Sequence, residues 1–372
     1  MSITIVGGGA IGLSVAWRAA AAGAEVTLFD PAPGHGASWA AAGMLAPVTE
    51  AHYGEETLLA LNLASAQRWA DFASELADAA GVDPGYRRCG AITVARDLDD
   101  QAALAELFAF QQRLGLDVER LTGSQVRALE PALSPRIRGG IVARDDHQVD
   151  NRALVDALLI AAARAGVRFD RRAVRAIDVR DGRVAGVVLT DDTQVQTQTV
   201  VVATGVGTAR LGGVPDGVLP PVRPVKGQLL HLRGASDACP QAGVVRGLEA
   251  YIVSRGDGRV VVGATMEERG DTAVTAGAVM DLLRAAWELV PGLAELALSE
   301  TIAGLRPATP DNAPVIGPTE VDGLMLAVGH FRNGILLTPV TADAVVEGLA
   351  GRWPAIVAPF SADRFATTEV AS

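Results

Sequence analysis

Cysteine is scarce in this chain, and its scarcity excludes several classes of protein. Cys89 and Cys239 are the only two cysteines among 372 residues, and they lie far apart. They provide neither a disulfide framework nor the short spacing of a zinc site, so we expect a reducing cytoplasm. The five histidines are also scattered, and no pair has the spacing of metal ligands. We therefore expect no metal site.

Long apolar runs are missing as well. No window of the sequence approaches the ~18 consecutive apolar residues that a membrane span needs. The alanine-rich segment 11–24 could be mistaken for the core of a signal peptide, but Arg18 interrupts it and a strand pattern already begins at Ile3. We expect no membrane span and a cytoplasmic location.

The chain has no excess of basic residues. Its net charge of −11 argues against binding to nucleic acid. Hydrophobic residues make up 49% and charged residues 20%, which is typical of an ordinary globular protein. The length allows two domains or one large α/β domain.

The first informative feature that is present is a glycine motif. Residues 3–6 are apolar enough for a buried parallel strand, and Gly7, Gly9 and Gly12 follow as G-x-G-x-x-G before a helical segment. Gly7 permits the tight turn, Gly9 lets a pyrophosphate approach the backbone, and Gly12 lets the helix pack closely on the strand. The N-terminus of that helix offers free N–H groups to phosphates.

Asp30 completes this pattern. It ends a second strand, residues 25–29, at about the spacing expected of an acid that binds ribose hydroxyls. The register favours dinucleotide binding over a glycine-rich turn in some other α/β protein, but it leaves NAD and FAD both open. The segment PAPGHGASWAAAGMLAP that follows is long for a simple connection. Its small residues favour a loop that contacts the cofactor.

The middle of the chain alternates between helical and strand patterns. Helices are predicted over residues 55–80, 97–114, 151–165 and 276–289 and from Ile335 onward, and strands over residues 167–169, 174–179 and 184–189. Thr122 and Gln125 predict a capping box, and Asp181-Gly182 predicts a hairpin turn. Residues 199–205, TVVVATG, predict a second central parallel strand that delivers its end to a ligand; a purely structural strand is the alternative.

From Pro220 the pattern changes to alternating apolar and polar residues, as in LEAYIVSRGDGRVVVGATM, where residues 255–258 predict a hairpin turn. This texture predicts an antiparallel sheet in a separate layer. We therefore predict an α/β fold, α+β overall, with a discontinuous Rossmann-type cofactor domain and an antiparallel-sheet substrate domain. Their predicted ranges are 1–85, 140–220 and 300–372 for the cofactor domain, and 86–139 and 221–299 for the substrate domain.

Tyr251 and Arg306 are candidates for substrate binding. Tyr251 lies in an alternating strand whose polar tip can enter a cavity, and the planar fork of Arg306 suits a carboxylate. The alternatives are a core tyrosine with a satisfied hydroxyl, and an arginine in a structural ion pair with Glu300 or Asp311.

A third candidate, Arg332, lies in the segment GHFRNGILLTP near the end of the chain. It has no evident partner in the sequence and precedes a predicted helix, so we expect an anion beside it, chiefly the reduced cofactor. His330 and Phe331 can equally be packing residues beneath this loop.

Six motifs in this order carry a resemblance to a known family. They are GGGAIG near the start, AAGML at residues 41–45, VKGQ at 225–228, VVVGATM at 260–266, AGLRPATPD at 303–311 and GHFRNGILL at 329–337. The series resembles the glycine oxidases of thiamine biosynthesis, within the D-amino-acid oxidase and sarcosine oxidase family of flavoproteins. The resemblance covers nearly the full chain.

This resemblance implies a glutathione-reductase-like FAD domain, non-covalent FAD and a homo-oligomer. It further implies oxidation of glycine, other small amines or D-amino acids to the imine, and then hydrolysis to the 2-oxo acid and ammonia. Oxygen, reduced to hydrogen peroxide, is the implied acceptor, and thiazole synthesis the implied use of the product. Hydride transfer of this kind needs no protein base.

Site residues carry over by position. Substrate contacts are implied for Tyr251, Arg306 and Arg332. Cofactor contacts are implied for Gly7, Gly9, Ala10, Ile11, Gly12, Asp30, Pro31, Ser38, Ala42, Gly43, Met44, Val174, His330, Phe331, Arg332, Asn333, Gly334, Ile335 and Leu336.

Two positions depart from the family pattern. Asp30 stands where the family usually has glutamate, and Glu249 stands near the substrate tyrosine where a relative has histidine. Two other functions stay open at this point. One is a D-amino-acid dehydrogenase that passes electrons to a quinone or carrier, and the other is a non-catalytic module that binds FAD or NAD.

Overall fold

The computed structural model describes residues 1–235, 239–241 and 243–365. Residues 366–372 of the predicted cofactor domain lie outside the described residues, and so do residues 236–238 and 242 of the predicted substrate domain. Eight α-helices occur in the described chain: α1 (Ala10–Ala21), α2 (Ala37–Ala40), α3 (Glu56–Ala80), α4 (Leu98–Arg113), α5 (Gly123–Leu129), α6 (Asn151–Arg164), α7 (Ala276–Leu289) and α8 (Thr338–Leu349).

The strands of the first half are β1 (Ser2–Val6), β2 (Glu25–Phe29), β3 (Met44–Leu45), β4 (Tyr86–Arg87), β5 (Ala91–Ala95), β6 (Val118–Thr122), β7 (Gly139–Ala143), β8 (His147–Val149), β9 (Arg168–Asp170) and β10 (Val174–Arg180). The strands of the second half are β11 (Arg183–Leu189), β12 (Gln194–Gln196), β13 (Val200–Val202), β14 (Arg223–Arg233), β15 (Val244–Arg246), β16 (Tyr251–Ser254), β17 (Arg259–Gly263), β18 (Ala297–Ala308), β19 (Val315–Pro318) and β20 (Leu324–Val328).

Six strands form a Rossmann-type sheet in the order β19-β20-β13-β1-β2-β9. All neighbours are parallel except β19, which runs antiparallel to β20. Its central strands are buried apolar runs, as both faces of a parallel sheet are covered. Helices α1, α3, α6 and α8 pack into one core with this sheet. The TVVVATG segment is thus confirmed as a central parallel strand.

A second, eight-stranded sheet has the order β18-β14-β17-β16-β15-β5-β7-β6. Its pairs are antiparallel except β15 with β5. Helix α7 packs its buried leucines and alanines against this sheet, and the sheet and helix form a second core. Two three-stranded sheets, β10-β11-β12 and β3-β8-β4, complete the fold. The predicted combination of a Rossmann-type sheet with an antiparallel sheet is confirmed, whereas the domain boundaries stay a prediction.

Local signals in the sequence agree with these elements. Helix α7 has the bounds predicted for it, and Thr122 and Gln125 form the capping box at α5. The hairpin turns predicted at residues 181–182 and 255–258 join β10 to β11 and β16 to β17. In the described chain, no helix is both long and apolar enough to cross a membrane.

The last helix begins later than predicted. Ile335 was expected to open it, but α8 starts at Thr338, after a 3₁₀ turn over Phe331–Asn333 and a further turn. The amide of Leu337 donates to Asn333 O at 2.8 Å and that of Thr338 to Ile335 O at 3.2 Å, so the hydrogen-bond spacing changes within the turn. Pro339, which has no N–H, lies in the first turn of α8, where that lack costs nothing.

Candidate active site

The glycine turn joins β1 to α1 at the carboxyl end of the Rossmann-type sheet. A Cβ atom at Gly7, where φ is +105°, would lie 2.3 Å from Ala203 O, and one at Gly12 would lie 1.9 Å from Gly7 O. Both positions therefore require glycine for close packing. Among the described residues, a Cβ at Gly9 would meet only Ser38 Oγ within 4 Å, at 3.2 Å, so the backbone there is open.

Hydrogen bonds connect the loop after β2 to the glycine turn. Asp30 accepts from Gly8 N at 2.6 Å and from Ala32 N at 2.7 Å. Ser38 Oγ accepts from Ala10 N at 2.9 Å. The structure thus brings Asp30 and Ser38 to the start of α1, while Pro31 beside them is exposed.

The loop around Ala42, Gly43 and Met44 lies between the small β3-β8-β4 sheet and the antiparallel sheet. Arg255 Nη2 donates to Ala42 O at 2.7 Å, and Val149 N donates to Gly43 O at 2.8 Å. Met44 Sδ lies 3.8 Å from Arg246 Nη1. Val174, by contrast, is the half-buried first residue of β10 in a small separate sheet.

The segment 329–337 is held from two sides. Leu336 O accepts from Ser65 Oγ at 2.7 Å and from Trp69 Nε1 at 2.8 Å, which fixes it to α3. His330 is buried, its Nε2 lies 3.0 Å from Thr341 Oγ1 of α8, and burial lowers its pKa to about 3. Its imidazole is therefore neutral at neutral pH, and its Nε2 lies against α8.

Strand β18 passes between this segment and the loop after β2. Ala308 bridges to His330, and a Cβ at Gly304 would lie 2.7 Å from the Cβ of Ala40. Arg306 therefore lies between two loops that the sequence assigned to the cofactor.

These residues fit a dinucleotide. Helix α1 has Gly9 at its N-cap and no acidic residue in its first turn, so its positive end can receive phosphates. In the described chain, Asn333 Nδ2 is buried without a hydrogen-bond partner and can donate to a ligand. The implied contacts of individual residues with FAD stay predictions.

Arg306 is not in an ion pair with any residue that the structure describes. Its Nη1 donates to Thr265 O at 3.1 Å and to Lys226 O at 3.4 Å. Its two candidate structural partners are engaged elsewhere, because Glu300 pairs with Arg152 and Asp311 pairs with Arg364. Because no carboxylate of the described chain pairs with this guanidinium, it can bind an anionic ligand.

Tyr251 lies beside this cation. Burial raises the pKa of its hydroxyl, while the nearby charge of Arg306 works in the opposite direction. The hydroxyl is therefore protonated at neutral pH and can donate a hydrogen bond.

Arg332 differs from the expectation of an arginine without a partner. It pairs with Glu55, and its Nε lies 3.5 Å from Glu50 Oε2. Glu50 in turn pairs with Arg246 at 2.8 Å. No motif in the sequence marks Glu50 or Arg246 as part of the site. The one usable signal for Arg246 was its hairpin, since it lies directly opposite Tyr251 in the β15–β16 pair.

The charges of Arg246 and Arg332 keep the carboxyl group of Glu50 ionised. Burial works to raise the pKa of Glu50, but the charges of Arg246 and Arg332 outweigh it and lower the pKa below its ordinary value. Burial and the charge of Arg332 lower the pKa of His52. Glu50 is therefore a carboxylate at neutral pH, beside a neutral imidazole.

Glu249 lies apart from this group. Its side chain is exposed and pairs with Arg96 at 3.3 Å. Although Glu249 is only two residues from Tyr251 in sequence, its side chain points to the surface.

Comparisons with known proteins agree with this architecture. The bifunctional protein ThiO/ThiG of Synechocystis sp. is 36% identical over 98% of this chain and 54% of its own length. This chain therefore spans about half the length of that relative. The crystal structure of glycine oxidase from Geobacillus kaustophilus matches with a TM-score of 0.89 and 33% identity, over 97% of this chain and 98% of that chain.

A third match is the structure of iminodiacetate oxidase from Chelativorans sp., with a TM-score of 0.85 and 28% identity, over 96% of this chain and 98% of that one. Residues 2–348 match the family described as DAO, FAD dependent oxidoreductase. By this match over most of its length, the chain belongs to the DAO family of FAD-dependent oxidoreductases, and FAD is its cofactor.

Proposed function

We propose that this protein oxidises glycine, and other small amines or D-amino acids, with non-covalently held FAD. The imine product is hydrolysed to the 2-oxo acid and ammonia, oxygen is reduced to hydrogen peroxide, and the product serves thiazole synthesis. Relatives named glycine oxidase and ThiO/ThiG support this assignment. The observation that carries it is Arg306, a cation beside the Tyr251 hydroxyl and between the two cofactor loops, with no ion-pair partner in the described chain.

The residues of the site have separate tasks in this reaction. Arg306 binds the substrate carboxylate through its planar fork, and Tyr251 donates a second hydrogen bond to it. These two contacts orient the α-carbon, and orientation supplies much of the rate enhancement. Bound FAD supplies the acceptor for the hydride of that carbon. Glu50 and Glu55 are engaged by arginines, and we assign neither of them the role of a base.

We further propose a cytoplasmic homo-oligomer with oxygen as the electron acceptor. The outer face of α7 exposes Met280, Leu283 and Trp287, with 70%, 36% and 48% of their surfaces accessible. An apolar stripe of this kind on a soluble protein favours self-association.

The absorbance spectrum of the FAD-loaded protein tests the function. Anaerobic glycine should bleach the visible flavin bands, and readmitted air should restore them with release of hydrogen peroxide. A spectrum that glycine leaves unchanged would overturn the proposal. Bleaching that is reversed by a quinone but not by air would instead identify a dehydrogenase.

A further inference from the structure

The charged side chains around Tyr251 form a group of defined composition. The arginine–glutamate cluster consists of Arg246, Arg306, Arg332, Glu50 and Glu55. Glu50 lies between two arginines: its Oε1 is 2.8 Å from Arg246 Nη1, and its Oε2 is 3.5 Å from Arg332 Nε. Glu55 also pairs with Arg332. Three cations and two anions leave one positive charge, and Arg306 is the member without a carboxylate partner in the described part of the chain.

Glu50 occupies the central position in this cluster. Its side chain is 14% exposed, those of Arg246 and Arg332 are 18% and 11% exposed, and bulk water therefore screens these charges weakly. The charges of Glu50, Arg246 and Arg306 all act on the hydroxyl of Tyr251, so the cluster adjoins the proposed substrate position.

Two other titratable groups lie near the cluster, and the charge of one of them, Asp146, interacts with that of Arg246. Asp146 lies behind residues 48–50, where its oxygens accept from Val48 N at 2.9 Å and from Thr49 N at 2.8 Å. His52 is adjacent and neutral, because burial lowers its pKa. Neither makes an ion pair with an arginine of the cluster in the described chain.

We propose that Glu50 is a specificity-determining residue that restricts the site to substrates with a single carboxylate. This inference rests on the proposed amino-acid oxidase function. With Glu50 ionised, a monocarboxylate binds to Arg306, the one arginine of the cluster without a carboxylate partner in the described chain. A dicarboxylate brings a second negative charge into a site where both other arginines are already paired, and like charges at short range are strongly unfavourable. Without the charge of Glu50, Arg246 is free to bind that second carboxylate.

Binding of inert carboxylates to the FAD-loaded protein tests this directly. Acetate and malonate are titrated at a pH where malonate is a dianion, and Kd is read from the perturbation of the visible flavin spectrum. Glu50→Gln should strengthen malonate binding relative to acetate by about tenfold or more, the scale of one close charge pair in a partly buried site. An unchanged ratio of the two Kd values would overturn the proposal.

Two further variants make the result specific. Glu50→Gln/Arg246→Gln restores the original charge and should return the ratio to the wild-type value; a ratio that stays raised contradicts the role of Arg246. Glu119→Gln breaks an exposed Arg–Glu pair with Arg144 in another part of the molecule and should leave the ratio unchanged. If Glu50→Gln does not fold, Glu55→Gln, which frees Arg332 from one carboxylate, should shift the ratio in the same direction.

Turnover supplies an independent second measurement. With the same variant, kcat/KM for iminodiacetate should rise relative to that for sarcosine, a secondary amine with one carboxylate. Because the Kd ratio needs no turnover, a wild-type protein that fails to oxidise glycine overturns the proposed function without deciding the role of Glu50.

Discussion

Arg306 and Arg332 show that the partner of a side chain decides what it can do. Both lie in segments that the family resemblance assigned to substrate. Arg332 is paired with Glu50 and Glu55, whereas Arg306 has no ion-pair partner among the described residues and donates to the carbonyl oxygens of Lys226 and Thr265. In the proposed reaction, we therefore expect a substrate carboxylate to bind at Arg306, because at Arg332 it would have to displace a glutamate.

A first prediction concerns Arg306→Lys. Lysine keeps the charge but loses the planar fork, so the KM for glycine should rise by about 10²-fold while FAD stays bound. Steady-state kinetics with glycine, and the flavin content of the purified protein, provide the measurement. An amine substrate that lacks a carboxylate is the control, since its kcat/KM should not fall. Unchanged glycine kinetics would remove Arg306 from the site.

At the scale of elements, the segment 329–337 derives its shape from two helices. Ser65 and Trp69 of α3 donate to Leu336 O, and Thr341 of α8 contacts the ring of His330. The segment is thus held as one piece with the helices behind the Rossmann-type sheet. Its backbone can present a fixed surface to the cofactor.

A prediction of pH dependence follows from His330. Its pKa is lowered to about 3 in the folded protein by burial, against an unfolded value of about 6.5. Between these values the unfolded state binds the extra proton, so the free energy of unfolding should fall as pH falls below about 6.5. Thermal unfolding followed by circular dichroism from about pH 7 to about pH 5 measures this slope.

The variant His330→Asn should show a smaller loss of melting temperature on acidification than the wild type. His35, whose side chain is exposed, provides the control in His35→Asn, which should keep the wild-type slope. Equal slopes in wild type and His330→Asn would contradict the assignment of a neutral buried imidazole.

At the scale of the whole molecule, Arg255 joins the antiparallel sheet to the small β3-β8-β4 sheet and to helix α6. This buried residue follows β16, and its guanidinium donates to Gln148 Oε1, Val149 O, Ala42 O and Asn151 Oδ1 at 2.7–3.1 Å. Burial lowers its pKa to about 10, so it remains charged at neutral pH. One side chain thus holds the loop at Ala42, the end of β8 and the start of α6 in fixed relation to the antiparallel sheet.

Arg255→Lys should therefore destabilise the protein by about 2–4 kcal/mol, because lysine cannot satisfy four acceptors and leaves buried polar groups without partners. Chemical unfolding with guanidinium gives the free energy of unfolding, and FAD affinity should fall in parallel as the loop at Ala42 loosens. Arg183→Lys is the matched control, because Arg183 and its partner Asp322 are both largely exposed. Equal stability of the two variants would show that the contacts of Arg255 with β8, α6 and the loop at Ala42 do not stabilise the fold.

The sequence predicted the elements that local chemistry decides. The bounds of α7, the capping box at Thr122 and the hairpin at residues 255–258 all follow from short-range patterns. The pairing of Arg332 with Glu50 and Glu55 does not, because it joins distant segments, with Arg332 and Glu55 separated by 277 residues in sequence. Residues 255–258 illustrate the limit, since a turn motif gave no sign that the side chain of Arg255 is buried.

The strand order of the Rossmann-type sheet has a consequence for synthesis of the chain. β13 lies between β1 and β20, and Val200 pairs with both Thr4 and Leu324. Translation adds roughly 5–20 residues per second, so the interval between synthesis of β13 and synthesis of β20 is on the order of ten seconds. During that interval the emerging chain exposes an apolar strand edge, the kind of surface that aggregates and that chaperones recognise. Slowing translation after Val202 should therefore raise the aggregated fraction, and the late strands act as the closing step of folding.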